Sequence, residues 1–194
     1  TSYAWTELTT SGTKPSARIG HTSVVYDNKL IIFGGSVGSN SNKNDVWSLD
    51  LTTNAWTEIT TSGTKPSARR EHSSILYDGW LVVFGGAGTA GSHFNDIWRL
   101  NLTQSPPVWN NIHDGTGGAP STRRNHSSIL YDGNMVMFGG IGADNSLYND
   151  AWTLALPSYA WTQLNTTGTK PSARRYHSSI LYDGNMVMFG GFDG

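Results

Sequence analysis

The sequence predicts an all-β protein in which four-stranded antiparallel units repeat and stack around an axis. The run HSSILYDGNMVMFGG occurs twice without change, at residues 126–140 and 177–191, and looser copies occupy 21–35 and 72–86. The glycine pairs that end these four runs are 51, 54 and 51 residues apart. A fixed period of about 50 residues indicates a repeat architecture. Short apolar runs bounded by Gly, Asn, Asp and Ser indicate that each repeat is built from strands and turns.

The third copy of the repeat shows why each period should contain four strands. Residues 127–131 form a strand-like run, which an Asp-Gly-Asn turn joins to the wholly apolar run 135–138. A strand in which every side chain is apolar usually has neighbouring sheets packed on both of its faces. Residues 149–154 (NDAWTL) predict a third strand, and residues 160–164 predict a fourth. Four antiparallel strands per period form one blade of a β-propeller.

Several motifs recur in phase with this period and together resemble the kelch family of β-propellers. They are the Gly-Gly doublets, the Asn-Asp-x-Trp-x-Leu strands, the Trp-Thr strands and four arginine segments, Pro-Ser-Ala/Thr-Arg-x-x-His, at residues 15–21, 66–72, 120–126 and 171–177. The resemblance covers essentially the whole chain. It implies rings that usually have six or seven blades and that often combine N- and C-terminal strands in one blade.

We expect one domain over residues 1–194, with complete blades at about 18–61, 69–113 and 123–165. Residues 174–191 match strands one and two of a further blade, and residues 2–8 match a fourth strand. These pieces predict a split blade that lacks its third strand. The chain is therefore expected to be a four-bladed unit with one defective blade, a segment of a longer propeller, or a unit that completes its ring by self-association.

Composition excludes several classes of site. The 194 residues include no cysteine, so disulfides, thiolate nucleophiles and cysteine metal sites are absent. The formal net charge of −1 gives no reason to expect nucleic acid or a membrane surface as a partner. Three Asn-x-Ser/Thr sequons, at Asn101, Asn125 and Asn165, favour a secreted or cell-surface location over a cytoplasmic one.

The arginine segments are the first candidates for a binding site. Seven of the eight arginines lie in them, at one end of the predicted ring together with the variable loops 36–44, 87–95 and 141–149. Guanidinium groups hold carboxylates and phosphates bidentately. Kelch propellers often use arginines of this loop to grip acidic peptides, and the resemblance implies the same here. The candidate ligand-binding residues are Arg18, Arg70, Arg124, Arg175, Phe94 and Tyr148.

Each arginine segment contains a first arginine (Arg18, Arg69, Arg123 and Arg174). In three segments a second arginine follows it directly (Arg70, Arg124 and Arg175). The first arginines have an alternative, structural role in which they tie blades together through Asp45, Asp96 and Asp150. The second arginines favour binding, because Ile19 replaces them in the first unit. Phe94 and Tyr148 are out of phase with the repeat, lie in variable loops and could face a ligand.

The recurring histidines and tryptophans are expected to be structural. His21, His72, His126 and His177 are spaced by whole blades, which does not bring ring nitrogens within about 2.1 Å of one metal ion. We therefore expect no metal and no cofactor. The strict phase of seven tryptophans predicts positions in the core between blades.

The sequence favours a non-catalytic scaffold that binds a protein or peptide through the arginine-bearing loop face. A copper oxidase of the galactose-oxidase type would need a cysteine, and symmetric serines and histidines do not form an asymmetric catalytic triad. Two alternatives stay open. One is an extracellular carbohydrate-binding or self-assembling module, and the other is a fragment of a propeller enzyme whose active site lies elsewhere.

Overall fold

The computed structural model describes residues 3–115, 118–156 and 158–194 and confirms an all-β chain of 15 strands in this part. The first blade contains β1 (Ser11–Gly12), β2 (Thr22–Tyr26), β3 (Lys29–Phe33), β4 (Val46–Asp50) and β5 (Ala55–Glu58). The second contains β6 (Ser73–Tyr77), β7 (Trp80–Ala87), β8 (His93–Asn101) and β9 (Val108–His113). The third contains β10 (Ser127–Tyr131), β11 (Asn134–Phe138), β12 (Ala151–Ala155) and β13 (Ala160–Gln163), and β14 (Ser178–Tyr182) and β15 (Asn185–Phe189) follow.

In each of the three complete blades four consecutive strands form an antiparallel meander, β2–β5, β6–β9 and β10–β13, and β1 adds a parallel pairing with β5 in the first. The first strands β2, β6, β10 and β14 contact one another in succession, so the sheets radiate from a common inner edge. The described residues form no helix of the length and hydropathy needed to cross a membrane.

The core lies between successive blades, as the apolar second strands predict. In β7, Leu81 and Val83 pack toward the first blade, whereas Val82 and Phe84 pack toward the third. This alternation follows from the two-residue period of a strand. Trp109 is 2% exposed and lies 4.9 Å from the ring of Phe33. The predicted core position is therefore confirmed for Trp109, and it is wrong for Trp5, which is fully exposed.

A short parallel contact attaches the segment that leads into each of the first two blades to the outer strand of that blade. β1 pairs with β5, and Ser62 forms the equivalent bridge with Val108 in β9. Gly63 has φ +77°, and a Cβ atom there would lie 2.5 Å from the carbonyl oxygen of Trp109. Glycine is required at this position because both the backbone angle and the close approach exclude a side chain.

The second blade departs from the predicted strand ends. The glycine pair ends the second strand in the other units, but β7 continues through Gly85 and Gly86 to Ala87. β8 correspondingly begins at His93, before its Asn-Asp motif, with a register shift between Phe84 and Gly86. The loop predicted at 87–95 is therefore largely a β-hairpin, which brings His93 onto a strand.

The last blade consists of two strands in this structure. The sheet contains β14 and β15 only, and residues 3–8, which were expected to supply a fourth strand, form no strand; Ser2 lies outside the described residues. Trp5 is fully exposed, because it packs on no neighbouring sheet. Phe189 is 83% exposed, whereas its equivalents Phe33 and Phe84 are completely buried.

Candidate binding face

The four arginine segments and the loops that follow the second strands lie together at one end of the stack, the loop face. Bridges from Ile19 to Ser36, from Arg70 to Ala87 and from Arg124 to Ile141 join each segment to the loop of its own blade. A chain of backbone hydrogen bonds also joins the segments to one another. Glu71 donates to Gly20 at 2.7 Å, Asn125 to Glu71 at 2.9 Å and Tyr176 to Asn125 at 3.1 Å.

The residues of this backbone ladder all have left-handed conformations. The φ angles are +65° at Gly20, +58° at Glu71, +56° at Asn125 and +62° at Tyr176. Glutamate and tyrosine seldom adopt this conformation, so the ladder imposes it on them. One backbone geometry therefore presents a bare glycine and three different side chains around the inner mouth of the stack.

The first arginines form buried ion pairs with the aspartates of the third strands. In the second blade, Nη1 and Nη2 of Arg69 donate to Asp96 at 2.7 and 2.8 Å, and Nη1 also donates to the carbonyl of Gly85 at 2.9 Å. Nε1 of Trp98 donates to the same carboxylate at 2.6 Å. The first and third blades repeat this arrangement with Arg18 and Asp45 and with Arg123 and Asp150.

Hydrogen bonds keep the carboxylates of Asp45 and Asp150 ionised despite their burial. Burial alone would raise the pKa of Asp45 and of Asp150. The bonds from arginine and tryptophan outweigh burial, so the pKa of each lies below its ordinary value. The candidate Arg18 is one of these paired arginines, and its side chain is only 5% exposed. The geometry therefore gives Arg18 the structural role that the sequence left open.

The first arginines also connect blades, but through their backbones. The side chain of Arg69 pairs within its own blade, whereas its carbonyl accepts from Gly35 at 2.8 Å and its N–H donates to Lys43 at 3.0 Å in the preceding blade. The predicted aspartate partners are therefore correct, and the tie between blades comes from main-chain atoms. Arg174 has no such aspartate among the described residues and instead bonds Ser172 and the carbonyl of Gly190.

Phe94 and Tyr148 occupy the same position in their blades, so the prediction that they are out of phase with the repeat is wrong, and both rings lie against the paired arginines. The guanidinium carbon of Arg69 is 4.4 Å from the centroid of Phe94, and that of Arg123 is 4.3 Å from the centroid of Tyr148. Such cation–π contacts shield the ion pairs beneath them. Both rings are partly exposed, and their predicted contact with a ligand stays a prediction.

The three second arginines differ in their contacts. Arg124 donates from Nη1 to Oε2 of Glu71 at 2.7 Å and from Nε to Nε2 of His93 at 2.9 Å. Arg70 approaches Oε1 of Glu71 at 3.7 Å without a hydrogen bond, and its side chain is 33% exposed. Arg175 lies 5.1 Å from the ring of Tyr176. Only Arg124 is held by polar side chains among the described residues.

A small cavity lies on the loop face where the first three blades meet. Its volume is about 90 Å³, and it brings together two of the predicted arginines, Arg70 and Arg124. The lining is completed by Asn40, Asn42, Ala87, Gly88, Gly91 and His93. This space suffices for a side-chain head group or several water molecules. Arg18 and Arg175 lie outside it.

The recurring histidines connect neighbouring first strands. Nε2 of His72, His126 and His177 each lies 2.8 Å from a hydroxyl of the preceding blade, on Thr22, Ser73 and Ser127 respectively. Burial lowers the pKa of His126 to about 3 and also holds the pKa of His72 well below its ordinary value. No group of three or more potential metal ligands comes together within residues 3–115, 118–156 and 158–194.

Comparison with known proteins agrees with this geometry. The family model described as the KLHDC2/KLHL20/DRC7 Kelch-repeats domain matches residues 1–194. The chain belongs to the kelch-repeat family. Kelch repeats commonly mediate protein–protein interaction, and proteins of this kind are typically non-catalytic scaffolds.

This kelch-repeat chain spans about half the length, or less, of the curated relatives it matches. It is 31% identical to Kelch domain-containing protein 3 of Bos taurus and to that of Homo sapiens, over 97% of this chain and 51% of each relative. It is 32% identical to Adagio-like protein 1 of Oryza sativa subsp. japonica, over 97% of this chain and 30% of the relative.

The site of this kelch-repeat chain also contains residues that the sequence did not reveal. His93 and Asn42 carry no repeat signal, and only the hairpin geometry brings them to the cavity. Glu71 was visible as the single acidic residue among the arginine segments. Its role as the common partner of Arg124 and Asn125 depends on contacts between blades.

Proposed function

We propose that this chain is a non-catalytic interaction module that binds an acidic segment of a protein or peptide through the loop face. The cavity shared by Arg70 and Arg124 supports the proposal most directly, because it holds two guanidinium groups in one small concave site. Such groups bind carboxylates through paired, charge-assisted hydrogen bonds. The first arginines Arg18, Arg69 and Arg123 are paired with aspartates, so the second arginines are the cations that remain for a ligand at this cavity.

The local charge also favours an acidic partner. Glu71 offsets one of the two cavity arginines, which leaves a net charge of about +1 from these three groups. Arg70 makes no hydrogen bond to Glu71 and is one-third exposed. An incoming carboxylate could therefore pair with Arg70 without displacing an existing side-chain bond.

Binding of a hexaglutamate peptide with blocked ends, measured by fluorescence anisotropy, tests this function. The triple variant Arg70→Ala, Arg124→Gln, Arg175→Ala should lose at least about tenfold in affinity, because each charge-assisted bond contributes roughly 1.5–3 kcal/mol. The control is the triple variant Lys14→Ala, Lys65→Ala, Lys170→Ala, which removes the same charge from exposed positions. Equal losses in both variants, or no binding by the wild type, would reject the proposal.

Self-association is a second candidate, supported by the uncovered face of the last sheet. Ile180, Val187 and Phe189 are 62%, 45% and 83% exposed there. At the internal junctions, the equivalent residues Ile75, Val82 and Phe84 are buried against the next blade. A second copy of the chain would offer the same kind of surface that these residues meet internally. Sedimentation velocity over a range of concentrations tests this candidate.

A further inference from the structure

Nε of Arg124 makes a hydrogen bond that the corresponding atoms of Arg70 and Arg175 lack. In Arg70 and Arg175 this nitrogen is buried without a hydrogen bond. In Arg124 it donates to Nε2 of His93 across the junction between the second and third blades. An unpaired buried donor costs about 1–3 kcal/mol, so the difference bears directly on how firmly each guanidinium is held.

The same contacts establish which nitrogen of His93 carries the proton. Nε2 accepts from Arg124, so it is unprotonated, and Nδ1 lies 2.9 Å from the carbonyl oxygen of Gly91. A carbonyl only accepts, which requires that Nδ1 carries the hydrogen. His93 is therefore neutral and in its Nδ1–H form.

The repeat provides an internal comparison for this position. His93 faces Ala87 across its hairpin, just as Asn42 faces Ser36 and Leu147 faces Ile141 in the neighbouring blades. Asn42 precedes Arg70 along the chain, His93 precedes Arg124, and Leu147 precedes Arg175. Asn42 instead uses its Nδ2 to donate to Ala87, and leucine has no acceptor. Of the three residues at this position, His93 alone accepts from Nε of the next arginine, whereas Oδ1 of Asn42 is buried without a hydrogen bond.

We propose that His93 is the positioning residue of Arg124. Together with Glu71 it fixes the guanidinium from two sides, so that Arg124 is the preorganised contact on the loop face for an acidic ligand. A fixed side chain loses less conformational entropy on binding than a mobile one. The role of Arg124 in binding rests on the proposed function, whereas its positioning by His93 does not.

Nuclear magnetic resonance of the side chains tests the positioning without any ligand. Ring ¹⁵N shifts should identify the Nδ1–H form of His93, and the Nε–H of Arg124 should exchange slowly with water. His93→Leu, which places the residue of the third blade in the second, should make this exchange fast. His93→Gln should restore slow exchange, because its amide oxygen can accept. Leu147→His should slow exchange at Nε of Arg175, since it supplies the missing acceptor.

Affinity for the blocked hexaglutamate peptide tests the consequence for binding. His93→Leu should weaken binding several-fold, up to about tenfold, and His93→Gln should recover most of the loss. An Nε2–H form of His93, or unchanged Arg124 exchange in His93→Leu, would overturn the positioning. Changed exchange with unchanged affinity would overturn preorganisation. If the wild type binds no peptide while the exchange pattern holds, the positioning stands and the proposed function falls.

Discussion

Nε2 of His126 lies 2.8 Å from the hydroxyl of Ser73 in the preceding blade. The imidazole is 7% exposed, and its centroid is 5.3 Å from that of Phe84, which also belongs to the preceding blade. His72 is equally enclosed at the junction before it. Two junctions therefore each contain a buried imidazole that must stay neutral while the blades remain packed.

Stability should decrease as the pH falls below about 6.5. The unfolded chain protonates its histidines near pH 6.5, whereas the folded pKa of His126 is about 3 and that of His72 is also strongly lowered. Between these values the unfolded state binds more protons, so each buried histidine removes up to about 1.4 kcal/mol of unfolding free energy per pH unit. Urea unfolding at pH 7.5, 6.5, 5.5 and 4.5 measures this slope.

The variant His126→Gln provides the control for this slope. It removes one of the two strongly shifted groups, so its unfolding free energy should depend less steeply on pH between 6.5 and 4.5. Asp45 and Asp150 contribute only at lower pH, because their pKa values lie below the ordinary carboxyl value. A wild-type free energy that is constant from pH 7.5 to 4.5 would contradict the buried neutral histidines.

The substitution Asp150→Asn should strongly destabilise the third blade. Arg123 is 1% exposed and donates two hydrogen bonds to this carboxylate. Loss of the charge leaves a buried guanidinium without its counterion, which costs about 3–5 kcal/mol. Thermal unfolding measures the effect, with Asp132→Asn on an exposed hairpin as the control, expected within about 0.5 kcal/mol of the wild type. Similar melting temperatures for the two variants would refute the buried pair.

The substitutions Gly63→Ala and Gly168→Ala should have unequal effects on stability. Both glycines have nearly the same φ, +77° and +79°, but a Cβ at Gly63 would lie 2.5 Å from the carbonyl of Trp109, and at Gly168 no atom lies within 4 Å. Gly168→Ala should cost about 1–2 kcal/mol from backbone strain alone. Gly63→Ala should cost roughly 1–3 kcal/mol more, because the outer strand must shift. Equal unfolding free energies would show that this contact is unimportant.

The substitution Phe84→Ala should lower the stability of the fold, whereas Phe189→Ala should leave the stability nearly unchanged and weaken only self-association. Phe84 is completely buried against the third blade, so truncation should cost about 3–5 kcal/mol. Phe189 occupies the same repeat position but is 83% exposed, so its truncation should change the unfolding free energy by less than about 0.5 kcal/mol. If the chain self-associates, only Phe189→Ala should weaken association without loss of folding. Chemical unfolding and sedimentation velocity distinguish these results.

The sequence predicted the sheets because their determinants are local and repeated. The apolar run around Val136 and the phase of Trp109 and Trp161 depend only on strand period and repeat length, and the core between blades confirms them. The aspartate partners of the first arginines were predicted for the same reason, since a fixed separation of 27 residues recurs in each blade.

Only part of the cavity lining could be predicted from the sequence, because only its two arginines belong to the repeated motifs. Arg70 and Arg124 carry the repeat signal, whereas Asn42 and His93 share one repeat position with different residue types. Only the assembled fold shows what each of them contacts. The motif also did not predict that residues 3–8 form no strand. A strand-like sequence becomes a strand only where a neighbouring strand is present for it to pair with. Nonlocal contacts of this kind depend on the assembled fold.

The left-handed ladder that joins Gly20, Glu71, Asn125 and Tyr176 uses only main-chain atoms. The backbone support at each rung consequently does not require a particular side chain, although the carboxylate of Glu71 also accepts from Arg124 and Asn125 of the next blade. A charge, an amide, a phenol or a bare backbone can occupy the same place without altering the support beneath it. The loop face can therefore acquire a new selectivity by exchange of one amino acid, with the architecture left intact.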